Sequence, residues 1–383
     1  MENHLDIRDA VARLCANFPP SYWRELDRER AYPSAFVEKL NASGYLAILI
    51  PQDYGGSGLG VSAAAAVLEE IHKSGCNGAA CHAQMYTMGT LLRHGSEEQK
   101  QRYLPKIASG ELRLQAFGVT EPGSGSNTLA LRTSARRQAD GSYVINGQKV
   151  WTSRAEHSDL MLLLARTTAR EELTRRTGGL STFLVDMRSA LGKGLEIRPI
   201  RTMINHATTE VFFDNLVIPG DSLLGDEGEG FRYILDGMNA ERILISSECL
   251  GDCDWFISKA VAYANERVVF ERPIGKNQGV QFPIAQAYLA ARAAGLMRDR
   301  AAELFEAGAA CGEQANMAKY LASEASWQAA DMCMQTFGGY AFAEEYDVER
   351  KFREARLYRT APISNNLVLS YLAEHVLDLP RSY

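Results

Sequence analysis

Phe117-Gly118-Val119-Thr120-Glu121-Pro122-Gly123-Ser124-Gly125-Ser126-Asn127 and, further along, Asn146-Gly147-Gln148-Lys149-Val150-Trp151-Thr152-Ser153 are the stretches on which the reading of this chain turns. The first is a short apolar strand that breaks into a Pro/Gly/Ser turn. Such a turn allows close backbone approach, leaves N–H groups free and offers small hydroxyls, all suited to a phosphate or the polar edge of a ring. Tyr143 and Ile145 then alternate with polar residues, Asn146-Gly147 signals a hairpin turn, and a second strand ends at Trp151. A hairpin that carries a Gly/Ser turn close to an indole could hold a flat heterocycle. An ordinary β-hairpin with a buried Trp has the same pattern.

Away from this centre the hydrophobic period changes. Residues 1–113 read as helical: Leu5 to Leu14, Ser34 to Ala42, Val61 to Lys73 and Met85 to His94 have helical apolar spacing, separated by Pro19-Pro20, Pro51 and Gly55-Gly56. Ser96-Glu97-Glu98-Gln99 has the residues of a capped helix start. Between 114 and 222 the period falls to two, with strands expected at Tyr143 to Val150, Leu160 to Ala165, Ser181 to Val185, Leu195 to Pro199 and Glu210 to Phe213. The polar segment Thr167 to Gly179 reads as an exposed loop. From 223 to 383 long Ala-rich amphipathic helices return, over Ala260 to Glu266, Ile284 to Phe305 and Met317 to Phe337. A β-domain between helical blocks is an α+β architecture.

The 383 residues are 46% hydrophobic and 23% charged, which suits two or three globular domains with a substantial core. A net charge of -6 without a basic run argues against nucleic acid. No apolar segment approaches the ~20 residues of a membrane span, and the N-terminus, Met1-Glu2-Asn3-His4-Leu5-Asp6, resembles neither a signal nor a transit peptide. The seven cysteines, Cys15, Cys76, Cys81, Cys249, Cys253, Cys311 and Cys333, lack zinc-site spacing. They read as buried free thiols of a reducing compartment, the cytoplasm, with no metal.

The two opening stretches, Val-Thr-Glu-Pro-Gly-x-Gly-Ser and Asn-Gly-x-Lys-x-Trp-Thr-Ser, resemble the flavin-contacting signature of the acyl-CoA dehydrogenase family. A second signature of that family follows in the expected order: Gln335-x-x-Gly338-Gly339, Tyr346, Glu349-Arg350 and Arg353-Glu354-Ala355-Arg356. Ile50-Pro51-Gln52-Asp53-Tyr54-Gly55-Gly56 matches a further family loop, and the resemblance runs from about residue 20 to about residue 378. It implies an N-terminal helical domain (1–113), a middle β-domain (114–222) and a C-terminal helical domain like a four-helix bundle (223–383). It also implies FAD, an acyl-CoA thioester substrate, an electron-transfer flavoprotein as acceptor and a homotetramer built as a dimer of dimers. By the same resemblance Phe117, Val119 and Thr120 face the isoalloxazine edge, Gly125 and Ser126 meet the pyrophosphate region, and Trp151 and Ser153 flank the ring. Arg267, Phe270, Gln278, Gln335, Gly338 and Gly339 match the groups that a neighbouring subunit lends to the adenosine-diphosphate half. Ser364 and Asn366 match later flavin contacts in residue type. Ser126 and Arg242 are implied on the substrate side as well.

The departures from the family pattern decide the chemistry to be expected. Asn127 replaces an Asp, Phe270-Glu271 replaces Phe-Gly, and Ala341 replaces a Gly. His206 stands where a small hydroxyl residue is usual and is a substrate-side candidate, although a lone His is more often structural. In much of the family the α-proton is removed by a Glu in a Tyr-Glu-Gly-Thr segment. Here that segment is Ala361-Pro362-Ile363-Ser364, and proline offers neither a carboxylate nor an N–H. The isovaleryl- and long-chain-type branch carries its Glu on an earlier helix, at a position matching Glu241 in Asn239-Ala240-Glu241-Arg242. Glu241 is therefore the expected base. The expected reaction is α,β-dehydrogenation, with β-hydride transfer to flavin N5 giving a trans-2-enoyl-CoA. Pro362 keeps other readings open: a desulfinase or enoyl-CoA reductase on the same fold, or a non-catalytic flavin-binding partner subunit. A flavin monooxygenase has little support from the Glu-Arg pair.

Overall fold

The computed structural model describes residues 4–381; Met1-Glu2-Asn3, read above as part of a polar N-terminus, lie outside the described residues. The helices begin with α1 (Leu5–Cys15), α2 (Pro20–Glu29), α3 (Ser34–Ala42), α4 (Val61–Lys73), α5 (Ala79–His94) and α6 (Glu97–Ser109). The β-rich middle holds β1 (Leu114–Gly118), β2 (Ser134–Arg137), β3 (Tyr143–Ser153), β4 (Leu160–Arg166), β5 (Leu180–Asp186), the short α7 (Met187–Ala190), β6 (Leu195–Pro199), β7 (Thr208–Ile218) and β8 (Leu223–Leu224). Then come α8 (Gly230–Glu266), β9 (Val268–Val269), β10 (Arg272–Pro273), α9 (Gln278–Glu306), α10 (Gly312–Phe337), α11 (Val348–Arg356) and α12 (Asn365–His375). No described helix is long and apolar enough to cross a membrane.

By internal contacts the chain forms two units. One comprises Met1–Glu29, Gly60–Gly78 and Asn239–Tyr383; the other comprises Arg30–Leu59 and Ala79–Met238. The second unit is built on an eight-stranded sheet of order β6-β7-β3-β2-β4-β5-β8, with β1 added parallel to β4. Strand β4 is apolar from Leu160 to Ala165 because both of its faces are covered. Leu160, Leu162 and Leu164 join a cluster with Met88, Leu91 and Leu104 of α5 and α6, while Met161, Leu163 and Ala165 join one with Phe183, Val185 and Val211. Helix α6 opens with the expected capping box: Gln99 N donates to Ser96 Oγ at 3.2 Å, and Ser96 N donates to Gln99 Oε1 at 3.0 Å.

In the first unit, small residues let long helices approach closely. Ala287, Ala291 and Ala294 of α9 and Ala322, Ala325 and Ala329 of α10 are buried with Ile245, Cys249 and Phe256 of α8. All seven cysteines are buried and free. A buried polar knot accompanies this core: His72 Nδ1 lies 3.0 Å from Asp252 Oδ1, which also pairs with Lys351, while Gly78 N donates to His72 Nε2 at 3.0 Å.

Two local expectations are corrected. Asn146-Gly147 is not a hairpin turn, because β3 runs unbroken from Tyr143 to Ser153 with a register shift between Ile145 and Gly147. Gly147 has φ 147, and a Cβ there would stand 2.6 Å from Thr133 Cα, so the glycine serves a bulge and a close backbone approach. The hairpin turn lies earlier, between β2 and β3, where Gly141 has φ 86 and its N–H donates to Gln138 O. Pro19-Pro20 does not merely separate helices either. Pro20 is the first residue of α2, where its missing N–H costs nothing.

Candidate flavin and acyl-thioester site

The Pro/Gly/Ser turn owes its position to a buried ion pair that links the two halves of the opening stretch. Lys149, fully buried on β3, donates from Nζ to Glu121 Oε1 at 2.9 Å and to Val119 O at 3.0 Å. Glu121 also accepts from the N–H groups of Arg132 at 2.7 Å and Thr133 at 2.9 Å. Burial pushes the Glu121 carboxyl up, but Lys149 and these N–H donors outweigh it and hold the group below its ordinary range. Burial also dominates at Lys149, pulling it down to about 8 against the attraction of Glu121. Val150 N donates to Thr120 O at 2.9 Å, so Val119 and Thr120 are fixed against the strand that carries Trp151. Glu121 and Lys149 were visible in the motifs, but their pairing across 28 residues was not.

Trp151 contradicts the alternative of an ordinary buried-Trp hairpin. It sits at a register shift between Val150 and Thr152, has φ 62 and is 58% exposed. A bulge in the left-handed region turns the indole out of the core, a conformation that a bulky residue holds only at a cost. Phe117 on β1 is half-buried and meets the Tyr86 ring edge-on at 5.4 Å. Gly125 and Ser126 are exposed, and a Cβ on Gly125 would meet nothing within 4 Å. Ser153 is half-buried and registers with Thr208 on β7. An outward-facing indole, an open Gly/Ser turn and half-buried apolar residues beside it fit a flat ring that carries a pyrophosphate.

Next to Ser153, Arg154 is buried and also left-handed, with φ 61. Its Nη2 lies 3.1 Å from His206 Nε2 and 3.2 Å from Nδ1. Burial first, then Arg154 and His82, hold the His206 imidazole well below its usual value of 6.5. His206 is thus a neutral hydrogen-bond partner near pH 7 rather than a cation. Below pH 6.5 the unfolded chain binds a proton at this position that the folded chain refuses, so stability falls as the pH drops. In chemical denaturation between pH 7 and pH 5, His206→Asn should flatten that slope by up to about 1.4 kcal/mol per pH unit.

The remaining candidates lie in the unit built on α8 to α12. Glu241 is buried, 4% exposed, in the α8 helix, and the adjacent Arg242 donates from Nη1 to Asn239 Oδ1 at 3.0 Å. Ser246 Oγ donates to Arg242 O at 2.6 Å, holding this part of the helix. Lys319, fully buried on α10, donates from Nζ to Ile363 O and Asn365 Oδ1, each at 2.6 Å, and so anchors the Ala361-Pro362-Ile363-Ser364 segment from below. The Ala361–Pro362 bond is cis. Ser364 caps α12, its Oγ accepting from Leu367 N at 3.4 Å, and Asn366 is exposed. Asn239, Lys319 and Asn365 are contacts that the sequence reading did not single out.

Arg267, Phe270, Gln278, Gln335, Gly338 and Gly339 are all exposed. Arg267, after the end of α8, lies over the Tyr340 ring at 5.6 Å. Phe270 and Glu271 form the tip of the β9–β10 hairpin, both left-handed with φ 51 and 64, and Phe270 is 94% exposed. Both residues strain a turn that favours Asn-Gly. Glu271→Gly is therefore expected to raise stability by roughly 1 kcal/mol in denaturant titration.

Sequence models of the acyl-CoA dehydrogenase N-terminal, middle and C-terminal domains match residues 1–111, 116–216 and 228–377. The chain is 35% identical over 388 residues to the acyl-CoA dehydrogenase fadE12 of Mycobacterium bovis, covering 100% of this chain and 98% of that one. It is 32% identical over 335 residues to a 3-(aryl)acrylate reductase of Clostridium sporogenes, covering 87% of each. Among solved structures, a glutaryl-coenzyme A dehydrogenase in complex with glutaryl-CoA superposes with a TM-score of 0.90 at 29% identity, covering 100% of this chain and 97% of the other. The chain belongs to the acyl-CoA dehydrogenase family, FAD-dependent oxidoreductases that act on a CH–CH bond. Its fold is that family's: an N-terminal helical domain, a middle β-domain and a C-terminal helical domain.

Proposed function

We propose that Glu241 takes the α-proton of a saturated acyl-CoA thioester, so that a trans-2-enoyl-CoA is formed. The burial of Glu241 carries this reading, because a carboxylate at 4% exposure is shielded from water as a base for a weak carbon acid must be. Pro362 cannot do this work. When bound, FAD supplies the two-electron acceptor for the β-hydride. Phe117, Val119, Thr120, Gly125, Ser126, Trp151 and Ser153 would hold it, with Ser364 and Asn366 as further contacts. Arg242, Ser126 and His206 would orient the thioester, His206 as a neutral partner. Electrons would pass to an electron-transfer flavoprotein in the cytoplasm, a compartment that suits seven free thiols. The exposed set Arg267, Phe270, Gln278, Gln335, Gly338 and Gly339 would serve the adenosine-diphosphate half of a neighbouring subunit's FAD, in a homotetramer. The N-terminal, middle β- and C-terminal domains would span 1–113, 114–222 and 223–383.

The test is anaerobic mixing of the FAD-loaded protein with a panel of saturated acyl-CoAs while the visible flavin absorption is followed. Bleaching is the expected result, and the thioester that bleaches fastest defines the acyl group. The similarity to an arylacrylate reductase supports a second reading, in which the chain works in the reductive direction. Under that reading no saturated thioester bleaches the flavin, and an enoyl thioester reoxidises the chemically reduced protein.

A further inference from the structure

Two of the seven buried thiols share one space in the unit that holds α1, α4 and α11. Cys15 is the last residue of α1, and Cys76 follows the end of α4. The way α4 ends brings them together. Lys73-Ser74-Gly75-Cys76 closes the helix with Gly75 left-handed at φ 79, Gly75 N donating to His72 O at 3.0 Å and Cys76 N to Ile71 O at 3.2 Å. A Cβ on Gly75 would stand 2.6 Å from Trp255 Nε1, and Arg350 Nη2 donates to Gly75 O at 3.2 Å, so the turn is held from two sides. It sends the Cys76 side chain to α1, where Sγ lies 4.0 Å from Cys15 O across 61 residues of sequence. The two thiols hydrogen-bond to each other. They are 3% and 1% exposed, yet lie directly beneath the surface, since Ala16 and Asn17 after Cys15 and Lys73 and Ser74 before Cys76 are exposed.

The shared space treats the two sulfurs differently. Donation from the Cys15 thiol first, then from the Trp23 indole, and the charges of Lys351 and Arg350 hold Cys76 below an ordinary thiol against the effect of burial. Those cations are fixed in place by carboxylates, Lys351 by Asp252 and Arg350 by Glu354. Cys15, which donates the bond to Cys76, is pushed up by it, and burial and Glu70 add to this against a hydrogen bond with Ser74. Cys76 is the sulfur poised to lose its proton and attack; Cys15 is the thiol placed to resolve the product.

We propose that Cys15 and Cys76 form a reversible dithiol–disulfide couple that hydrogen peroxide oxidises. The Cys76 thiolate attacks one peroxide oxygen and the O–O bond breaks. The hydroxide released takes up the Cys76 thiol proton and leaves as water, so Cys76 becomes a sulfenic acid. The Cys15 sulfur then attacks the Cys76 sulfur, the S–O bond breaks, and the sulfenic hydroxyl leaves with the Cys15 proton as a second water. Two electrons pass from the pair of sulfurs to the peroxide. The S–S bond ties the end of α1 to the end of α4, and a dithiol reductant restores both thiols. This modification site goes beyond the dehydrogenase reaction and does not rest on it.

The test uses FAD-loaded protein, fully reduced, freed of reductant and then exposed to a small molar excess of hydrogen peroxide. Thiol titration after denaturation should fall from seven to five, and dithiothreitol should restore seven. Peptide mass spectrometry should find Cys15 joined to Cys76, and the oxidised protein should melt at a higher temperature than the reduced one. Cys15→Ser should leave a sulfenic acid at Cys76 that dimedone labels, whereas Cys76→Ser should slow oxidation of Cys15 by at least about tenfold, the effect of one unit of thiol acidity. Retention of seven thiols, or a bridge between any other pair, overturns the proposal. So does a loss of thiols that dithiothreitol cannot reverse, or oxidation of Cys15 at the wild-type rate in Cys76→Ser. If a serine variant fails to fold, the peptide map of the wild type still decides.

Discussion

Glu241→Gln is expected to lower kcat for flavin reduction by about 10²–10⁴-fold, the usual contribution of a positioned general base. The amide keeps the size of the side chain and removes only the proton acceptor, so α8 and its packing should survive. FAD content and the visible spectrum of the oxidised protein should match the wild type, and acyl-CoA should still perturb that spectrum on binding. Stopped-flow bleaching under anaerobic conditions separates these effects. Loss of bleaching with binding retained assigns the proton transfer to Glu241. Bleaching at the wild-type rate would remove Glu241 from the chemistry and reopen the search among groups nearer Pro362. Pro362→Glu is a useful companion, since adding a carboxylate at the other branch's position should not rescue Glu241→Gln while Lys319 holds the Ile363 carbonyl and Asn365 at 2.6 Å.

Lys149→Met is expected to cost about 3–5 kcal/mol, because it strands the Glu121 carboxylate inside the protein. Lys149 is 0% and Glu121 8% exposed, so solvent cannot replace the lost partner. Chemical denaturation measures the cost. The pair is not itself a large source of stability: burial holds Lys149 down at about 8 even beside a carboxylate, so its desolvation is not fully compensated. Removing both charges in Glu121→Gln/Lys149→Met should therefore recover most of the stability lost in the single variant. FAD occupancy should not recover with it. Lys149 also donates to the Val119 carbonyl, and Glu121 holds the Arg132 and Thr133 N–H groups, so the pair sets the turn against the strand of Trp151. A double variant that is stable and fully flavin-loaded would show that the pair positions nothing.

Much of this protein was legible in its sequence, for local reasons. The 3.6-residue period placed α1, α3 and α4 almost to the residue, and the two-residue period placed β4, β5 and β6, because each element buries one face or both in its own unit. The capping box at Ser96 was legible because its hydrogen bonds span three residues. The order of the two signatures identified the family, which all three domain matches then supported. Where glycine had two uses, local reading failed. Asn-Gly fits a type I′ turn, yet at Gly147 the deciding contact is Thr133, brought alongside by β2–β3 pairing.

What only the tertiary structure decided are the long-range pairings. Local pattern left Trp151 open between a buried hairpin residue and an indole beside a flat ring, and the bulge against β7 turned it outward. Nothing within a few residues of Lys149, Arg154 or Lys319 announces their partners at Glu121, His206 and Asn365. Sequence by itself determined which segments fold as helix or strand and which family they belong to, since those follow from periodicity and motif over short spans. Which charged groups share a buried space depends on strands and helices meeting across tens of residues. That proximity sets their desolvation and mutual attraction, and with it the chemistry of the site.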